Sequence, residues 1–198
     1  QRWIKNRRDE VTRLSNGKIG YVHVRGMNDN SFRQVFSEVF GLNNDKDAII
    51  IDTRFNGGGW LHDDIATLFS GKRYVDYVPR NQYIGSDPMN KWFKKSIMLV
   101  SEGNYSDAHG TPYIYKTLGI GKLVGMPVPG TMTAVWWETL IDESLYFGIP
   151  QVGVKDTNGN YLENQQLTPD YIVKNQPEII INNRDQQIEK AVEILLNN

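Results

Sequence analysis

The strongest constraint on the fold is a short β-branched run that leads into three consecutive glycines, DAIIIDTRFNGGG (residues 47–59). The isoleucines are typical of a central strand that is covered on both faces. An ordered glycine costs about 0.5–1 kcal/mol in backbone entropy, so Gly57, Gly58 and Gly59 indicate a strained turn or a backbone that another group approaches closely. The segment therefore predicts a buried strand that ends in a turn with a structural or functional purpose.

Strand-like and helix-like patterns alternate along the whole chain. In residues 29–42, apolar side chains recur at spacings of three and four, which predicts a helix that is capped by Asn30 or Ser31 and ends at Gly41. The alternation favours an α/β fold of repeated βα units. Strands are predicted at residues 19–25, 48–54, 96–103 and 122–128, helices at 2–13, 29–42, 61–71, 113–119 and 184–198, an irregular excursion at 72–95, and a hairpin-like segment at 145–161 that turns at Asn158 and Gly159.

Composition and motifs argue against several classes of protein. The 198 residues are 39% hydrophobic and 23% charged with a formal net charge of -1, which is typical of one globular domain. The sequence has no basic stripe that would favour nucleic acid, and no run of about 20 apolar residues that would span a bilayer. It has no cysteine and no HExxH, EF-hand or Walker motif, so neither a metal nor another cofactor is expected. These features assign no cellular compartment.

A second segment, LVSEGNYSDAHGTPYIYKTLGIGKLVG (residues 99–125), repeats the order of strand, sharp polar turn and helix. Ser106 lies in that turn, where the backbone N–H groups that begin at Asp107 would point at an adjacent anion, helped by the helix dipole. A serine in a turn is more often a helix cap than a nucleophile. If the two predicted strands are neighbours, however, the amides of the glycine turn and of Asp107 would converge on one developing oxyanion.

Three blocks of the sequence resemble the catalytic core of the S41 serine peptidases, in particular the tricorn type. They are IIDTRFNGGG (50–59), NYSDAHGTPYIYKTLGIGKLVG (104–125) and YLENQQLTPDYIV (161–173), in the same order as in the family. The resemblance implies an α/β fold of the ClpP/crotonase type, a superhelix of ββα units. Residues 1–198 would then form a single catalytic core domain with a lead-in helix or linker at residues 1–15, while PDZ-like and histidine-bearing regions would lie upstream of this chain.

The same resemblance implies roles for five residues. The serine of the family's Ser-Asp pair is the nucleophile, which falls on Ser106. The family's oxyanion hole uses the residue after the serine together with the glycine turn, which implies Asp107 with Gly57 or Gly58. The tricorn type adds a glutamate in a Glu-Asn segment shortly before a Pro-Asp pair, and that glutamate falls on Glu163. Without the resemblance, Glu163 would be interpreted as a solvated loop carboxylate.

The general base is not evident within the chain. The C-terminal-processing branch of the family uses a lysine about one βα unit after the serine, but the matching turn VPGTMT offers Thr131 instead. The tricorn type uses a histidine assisted by a second serine, both upstream of the PDZ-like region, so the base is expected outside this chain. His62 and His109 are the internal alternatives, at the start of one predicted helix and three residues after Ser106. His23 is expected to be a half-buried packing residue.

Two local features have structural interpretations. Pro112 is unfavourable inside a helix, so the first turn after Ser106 is expected to be distorted, or the regular helix to begin at Thr111. Trp60, Trp136 and Trp137 are expected to belong to the core or to an interface rather than to a recognition site.

The leading interpretation is the core of a serine endopeptidase or carboxyl-terminal-processing peptidase that acts through an acyl-enzyme on Ser106. Its partner would be a peptide or an unfolded protein, bound as an added strand along a sheet edge, and oligomerisation is possible. One alternative is a crotonase-type acyl-CoA enzyme, which shares the oxyanion hole but needs no serine nucleophile. Another is a non-catalytic peptide-binding relative that keeps the glycine turn and has lost the base.

Overall fold

A computed structural model describes residues 1–197; Asn198, the last residue of the predicted closing helix and domain, lies outside the described residues. Six helices and nine strands follow one another along the described chain. The helices are α1 Arg2–Leu14, α2 Asp29–Ser37, α3 His62–Phe69, α4 Asp107–Thr117, α5 Pro177–Ile180 and α6 Gln186–Asn197; a π-helical turn at Glu38–Leu42 extends α2, and Pro79–Asn81 form a short 3-10 turn. The strands are β1 Ile19–His23, β2 Ala48–Asp52, β3 Val75–Tyr77, β4 Gly85–Asp87, β5 Lys95–Val100, β6 Lys122–Gly125, β7 Ala134–Thr139, β8 Tyr146–Val152 and β9 Tyr171–Ile172.

Five strands form a parallel sheet in the order β1-β2-β5-β6-β9. The central strands β2 and β5 are buried on both faces, as their β-branched and apolar composition predicts. Neighbouring parallel strands are joined by crossover connections, and most of these connections include a helix. This is the expected βα arrangement. The prediction of an α/β fold is therefore confirmed.

The two faces of the sheet carry separate apolar clusters. Ile49 and Ile51 point into the cluster under α2, α3 and α4, whereas Ile50 points into the opposite cluster under α1 and α6. This division follows from the period of two along a strand. Because side chains alternate between faces, one short run of isoleucines supplies both halves of the core.

The carboxyl ends of β2 and β5 lie side by side, and this places the two predicted turns at one edge of the sheet. Asp52 at the end of β2 pairs in register with Leu99 of β5. The glycine turn follows β2 and the turn with Ser106 follows β5, so both leave the sheet in the same direction.

Several local predictions differ from the structure. The cap of α2 is Asn28 rather than Asn30 or Ser31, because the Asn28 side chain accepts a hydrogen bond from the Ser31 amide. The main antiparallel hairpin joins β7 to β8, upstream of the predicted turn at Asn158 and Gly159. A short turn is also present at Asn158 and Gly159. The Asp156 side chain stabilises it by accepting from the backbone amide of Asn160.

The excursion at residues 72–95 contains the small antiparallel pair β3 and β4. No helix within residues 1–197 has the length and apolar character needed to cross a membrane.

Candidate active site

The glycine turn is held in a shape that side chains other than glycine would disturb. Gly58 and Gly59 have φ angles of +93° and +138°, which glycine adopts readily and other residues rarely do. A Cβ at Gly59 would lie 2.0 Å from the carbonyl oxygen of Met27. The Asn56 side chain fixes the turn from inside, since it accepts from the Gly58 amide at 2.9 Å and donates to the Val24 carbonyl at 2.8 Å.

Ser106 lies directly against this turn. A Cβ at Gly58 would be 2.7 Å from the Cβ of Ser106 and 3.1 Å from the backbone nitrogen of Asp107. Ser106 itself has φ +54° and ψ -123°, a backbone conformation that residues with side chains adopt at a cost of about 1–3 kcal/mol. Its amide donates to the hydroxyl of Thr131 at 3.0 Å, which helps to hold the strained residue. Thr131, expected only in place of a lysine, therefore contacts the backbone of the serine.

The helix that follows Ser106 begins at Asp107 and not at Thr111, and it continues through Pro112. Pro112 has no N–H to donate to the carbonyl of Ala108, four residues earlier. The side chain of Asn104 donates to that carbonyl instead, at 3.1 Å. A hydrogen bond from the turn thus replaces the one that the proline removes. The first turn of the helix is tightened, because the Ser106 carbonyl accepts from the amide of His109 at 2.7 Å and from that of Gly110 at 3.3 Å.

The Asp107 carboxylate ties the serine turn to the segment that follows the glycine turn. One oxygen accepts from the backbone amides of Leu61 and His62, at 2.6 and 3.1 Å, and so caps the start of α3. The other lies 2.5 Å from Nδ1 of His62. This hydrogen bond raises the pKa of His62 above its ordinary value, assisted by the charge of Asp107, whereas partial burial acts in the opposite direction.

The Glu163 carboxylate is held by two backbone amides of the segment that follows Thr131. It accepts from the amides of Met132 and Thr133, both at 2.7 Å. Partial burial acts to raise the pKa of Glu163, but these hydrogen bonds outweigh it and lower the pKa below its ordinary value. Glu163 is therefore an ionised carboxylate in a fixed position, next to the residue pair that follows Thr131.

The three histidines differ in environment. His109 is buried with Nδ1 unpartnered among the described residues, and burial lowers its pKa although the charge of Glu163 opposes the shift. His23 is partly buried at the end of β1, as expected, and burial lowers its pKa too. His62 is engaged by Asp107. Within residues 1–197, no side chain hydrogen-bonds to the Ser106 hydroxyl, so none of the three histidines is hydrogen-bonded to it.

A cavity of about 490 Å³ opens beside Ser106. Gly57 and Asp107 also line it, together with Met132 and Thr133, whose amides hold Glu163. The Gly57 amide has no hydrogen-bond partner in the described part of the chain, whereas the Gly58 amide is taken by Asn56. The cavity therefore brings together a strained serine, the amide of the following residue and a glycine amide, which are the parts of an oxyanion-binding site.

Several residues that shape this site were not singled out from the sequence. Asn56 and Asn104 are indistinguishable from ordinary turn residues in the sequence, because their amide side chains bond to segments that only the fold brings close. Trp60, Trp136 and Trp137 were expected in the core or at an interface; all three are exposed, so they do not belong to the core. No cluster of three potential metal ligands is found within residues 1–197.

Comparison with known proteins gives independent evidence on the family to which this chain is related. Residues 18–173 match the sequence profile of peptidase family S41. The Tricorn protease homolog of Saccharolobus solfataricus is 26% identical over 195 residues, which cover 98% of this chain and 18% of that protein. The Tricorn protease of Thermoplasma volcanium is 27% identical over 200 residues, covering 98% of this chain and 19% of that protein.

Comparison with solved structures shows the same similarity. The crystal structure of the tricorn protease matches with a TM-score of 0.87 and 26% identity, over 98% of this chain and 19% of that chain. The chain thus spans about a fifth of the length of the curated relatives that it matches.

Proposed function

Because the chain belongs to peptidase family S41, we propose that it is the catalytic core domain of a serine peptidase, with Ser106 as the nucleophile. The strained backbone of Ser106, packed against the glycine turn at the mouth of a cavity, carries this proposal. Functional sites frequently contain a strained residue that the surrounding structure holds in place. Similarity to tricorn proteases over nearly the whole chain supports the same function.

The amides of Asp107 and Gly57 would bind the oxyanion. Both residues line the cavity beside Ser106, and the Asp107 amide also lies at the start of α4, where the helix dipole favours negative charge. The contact of Gly58 with Ser106 fixes the spacing of the two turns before any substrate binds. Preorganised donors of this kind contribute about 10²–10³-fold to kcat for each donor.

The general base would come from a histidine outside residues 1–198. A serine hydroxyl is a weak nucleophile at neutral pH and needs a positioned base. Within residues 1–197, neither His62 nor His109 hydrogen-bonds to the Ser106 hydroxyl, so neither is held in the position of that base. Glu163 supports the proposal, because an ionised carboxylate beside the cavity would orient the group that holds the incoming histidine.

The reaction would proceed by two acyl transfers. The Ser106 Oγ attacks the peptide carbonyl carbon while its proton passes to the base, and the carbonyl oxygen becomes the anion that the two amides bind. The C–N bond then breaks, the amine leaves with that proton, and an ester to Ser106 remains. Attack by water, assisted by the same base, releases the carboxylic acid and restores the serine.

The test compares the full-length protein that contains this chain with residues 1–198 alone. Fluorogenic peptides should be hydrolysed by the full-length protein and not detectably by the isolated chain, and Ser106→Ala should abolish hydrolysis in the former. Removing a triad member leaves only about 10³–10⁴-fold catalysis over water, below the reach of ordinary assays. Peptide binding without hydrolysis in the full-length protein would instead support the non-catalytic relative. Full activity of residues 1–198 that is lost on His62→Ala or His109→Ala would place the base inside the chain.

A further inference from the structure

Three exposed aromatic side chains surround the mouth of the cavity beside Ser106. Trp60, Trp137 and Tyr105 are 70%, 61% and 59% exposed, although exposure of such large apolar rings to water is unfavourable. All three line the cavity, and the apolar lining continues with Met132, Val135 and Val154. The wall of the cavity next to the proposed nucleophile is thus mainly aromatic and aliphatic.

Neighbouring groups hold the two tryptophan rings in place. The Trp137 ring lies across Gly148 of the neighbouring strand, where a Cβ would be 3.0 Å from the ring, and it meets Tyr146 edge to face at 5.3 Å. The Trp60 amide donates to Met27, and the Trp60 ring contacts His62 edge to face at 5.1 Å. Rings that are fixed before binding lose little conformational entropy when a ligand covers them.

The cavity offers no free counter-ion to a charged ligand. Within residues 1–197, Asp107 is the only acidic or basic residue that lines it. Both oxygens of its carboxylate are occupied by Leu61 and His62, as described above. Glu163 is bound to the amides of Met132 and Thr133 and does not itself line the cavity. A charged side chain that entered would therefore lose water without meeting an exposed opposite charge in the lining, whereas an apolar one would gain contacts.

From these observations, and on the basis of the proposed function, we propose that Trp60, Tyr105 and Trp137 form the binding site for a large apolar or aromatic side chain of the substrate, next to the bond that is cleaved. The site discriminates against lysine, aspartate and glycine at that position. Lysine and aspartate lack a counter-ion, and glycine leaves the rings uncovered. Pockets of about 300–1,000 Å³ with apolar walls and few polar groups are typical of ligand sites, and this cavity falls in that range.

The experiment measures binding separately from hydrolysis. The full-length protein with Ser106→Ala is titrated with fluorescently labelled peptides that are identical except for one central residue, which is Phe, Lys, Asp or Gly. The Phe peptide should bind about tenfold or more tightly than the other three. Trp137→Ala should remove most of this preference, and so should Trp60→Leu, which keeps the proposal testable if one variant does not fold.

Trp136→Ala provides the matched control. Trp136 is adjacent in β7 and equally exposed, but it does not line the cavity and its indole N–H bonds to Glu138. This variant should bind all four peptides within about twofold of the parent, as surface substitutions outside a contact usually do. Equal affinity for all peptides, absence of peptide binding, or a loss of preference in Trp136→Ala equal to that in Trp137→Ala would overturn the proposal. Selective binding by a wild-type protein that hydrolyses none of the peptides would support this site while contradicting the proposed peptidase function.

Discussion

The carboxylate of Asp107 lies 2.5 Å from Nδ1 of His62, and it joins the residue after the proposed nucleophile to the helix after the glycine turn. The second carboxylate oxygen binds the amides of Leu61 and His62, so a single buried side chain fixes the relative position of the two turns. Because the backbone amide of Asp107 is one proposed oxyanion donor, this side chain also determines where that donor points. His62 is therefore best described as a positioning residue.

The contribution of His62 to stability should depend on pH. Its hydrogen bond to Asp107 raises its pKa in the folded protein, so the protonated form is stabilised by folding. The extra stability is fully present below the unfolded pKa of about 6.5 and is lost as pH rises through the higher folded value. The difference in unfolding free energy between the wild-type chain and His62→Gln, from urea denaturation, should therefore be larger at pH about 5.5 than at pH about 8.5.

His23 gives a control of opposite sign. Burial lowers its pKa, so its neutral form is favoured in the folded protein and its contribution is lost as pH falls through the folded pKa. The destabilisation caused by His23→Gln should thus be greater at the higher of the two pH values. The same pH trend in both variants would contradict the opposite directions of the two pKa shifts.

Substitutions at Gly57 and Gly58 should differ sharply. An added Cβ at Gly58 would meet Ser106 and the Tyr105 carbonyl at 2.7 Å, and the φ of +93° is unfavourable for alanine. Nothing lies within 4 Å of a Cβ at Gly57. We expect Gly58→Ala to lower the free energy of unfolding by about 1–3 kcal/mol, and Gly57→Ala to change it by less than about 1 kcal/mol. Urea denaturation measures both values, and comparable losses would mean that the two turns are not in contact.

A buried ion pair between the segment after β2 and the start of α6 should be important for stability. Asp185 accepts from Arg54 at 2.8 Å, both side chains are buried, and Asp185 also accepts from the amide of Ile188 at the start of α6. Asp185→Ala leaves Arg54 paired with Asp52, but it removes the second carboxylate of the buried network and the acceptor of the Ile188 amide, which should cost about 1–3 kcal/mol. Asp185→Ala should show this loss in thermal or urea unfolding.

The exposed pair of Lys190 and Glu193 serves for comparison. Glu193→Ala should change the unfolding free energy by less than about 1 kcal/mol, since solvent screens such pairs. If Asp185→Ala were equally mild, the buried network would not stabilise the packing of α6 on the sheet.

Much of the fold could be predicted from the sequence, because its signals are local. The isoleucine run of β2 and its alternating burial follow from the period of a strand, and the position of Ser106 after β5 follows from the order of strand, turn and helix. Parallel strands then require that both turns leave the same edge of the sheet. The convergence of Ser106 with the glycine turn was accessible by this reasoning.

Other features depend on contacts that a local pattern does not contain. The apolar residues of β7, including Trp136 and Trp137, are typical of a buried strand, yet they lie on an exposed two-stranded hairpin. Pro112 predicts a disturbed helix, but Asn104 replaces the missing hydrogen bond from outside the helix. The hydrogen bond between Asp107 and His62 joins residues that are far apart in the sequence, so only the packing of α3 against α4 reveals it.

The most direct test of the central claim is to identify the residue that reacts with a serine-directed phosphonate. The full-length protein is treated with the reagent, digested and analysed by mass spectrometry. The phosphonate should be attached to Ser106, and Ser106→Ala should abolish labelling, because only a serine with an activated hydroxyl beside an oxyanion site reacts readily. An adduct on another residue, or no adduct in a preparation that hydrolyses peptides, would show that Ser106 is not the nucleophile.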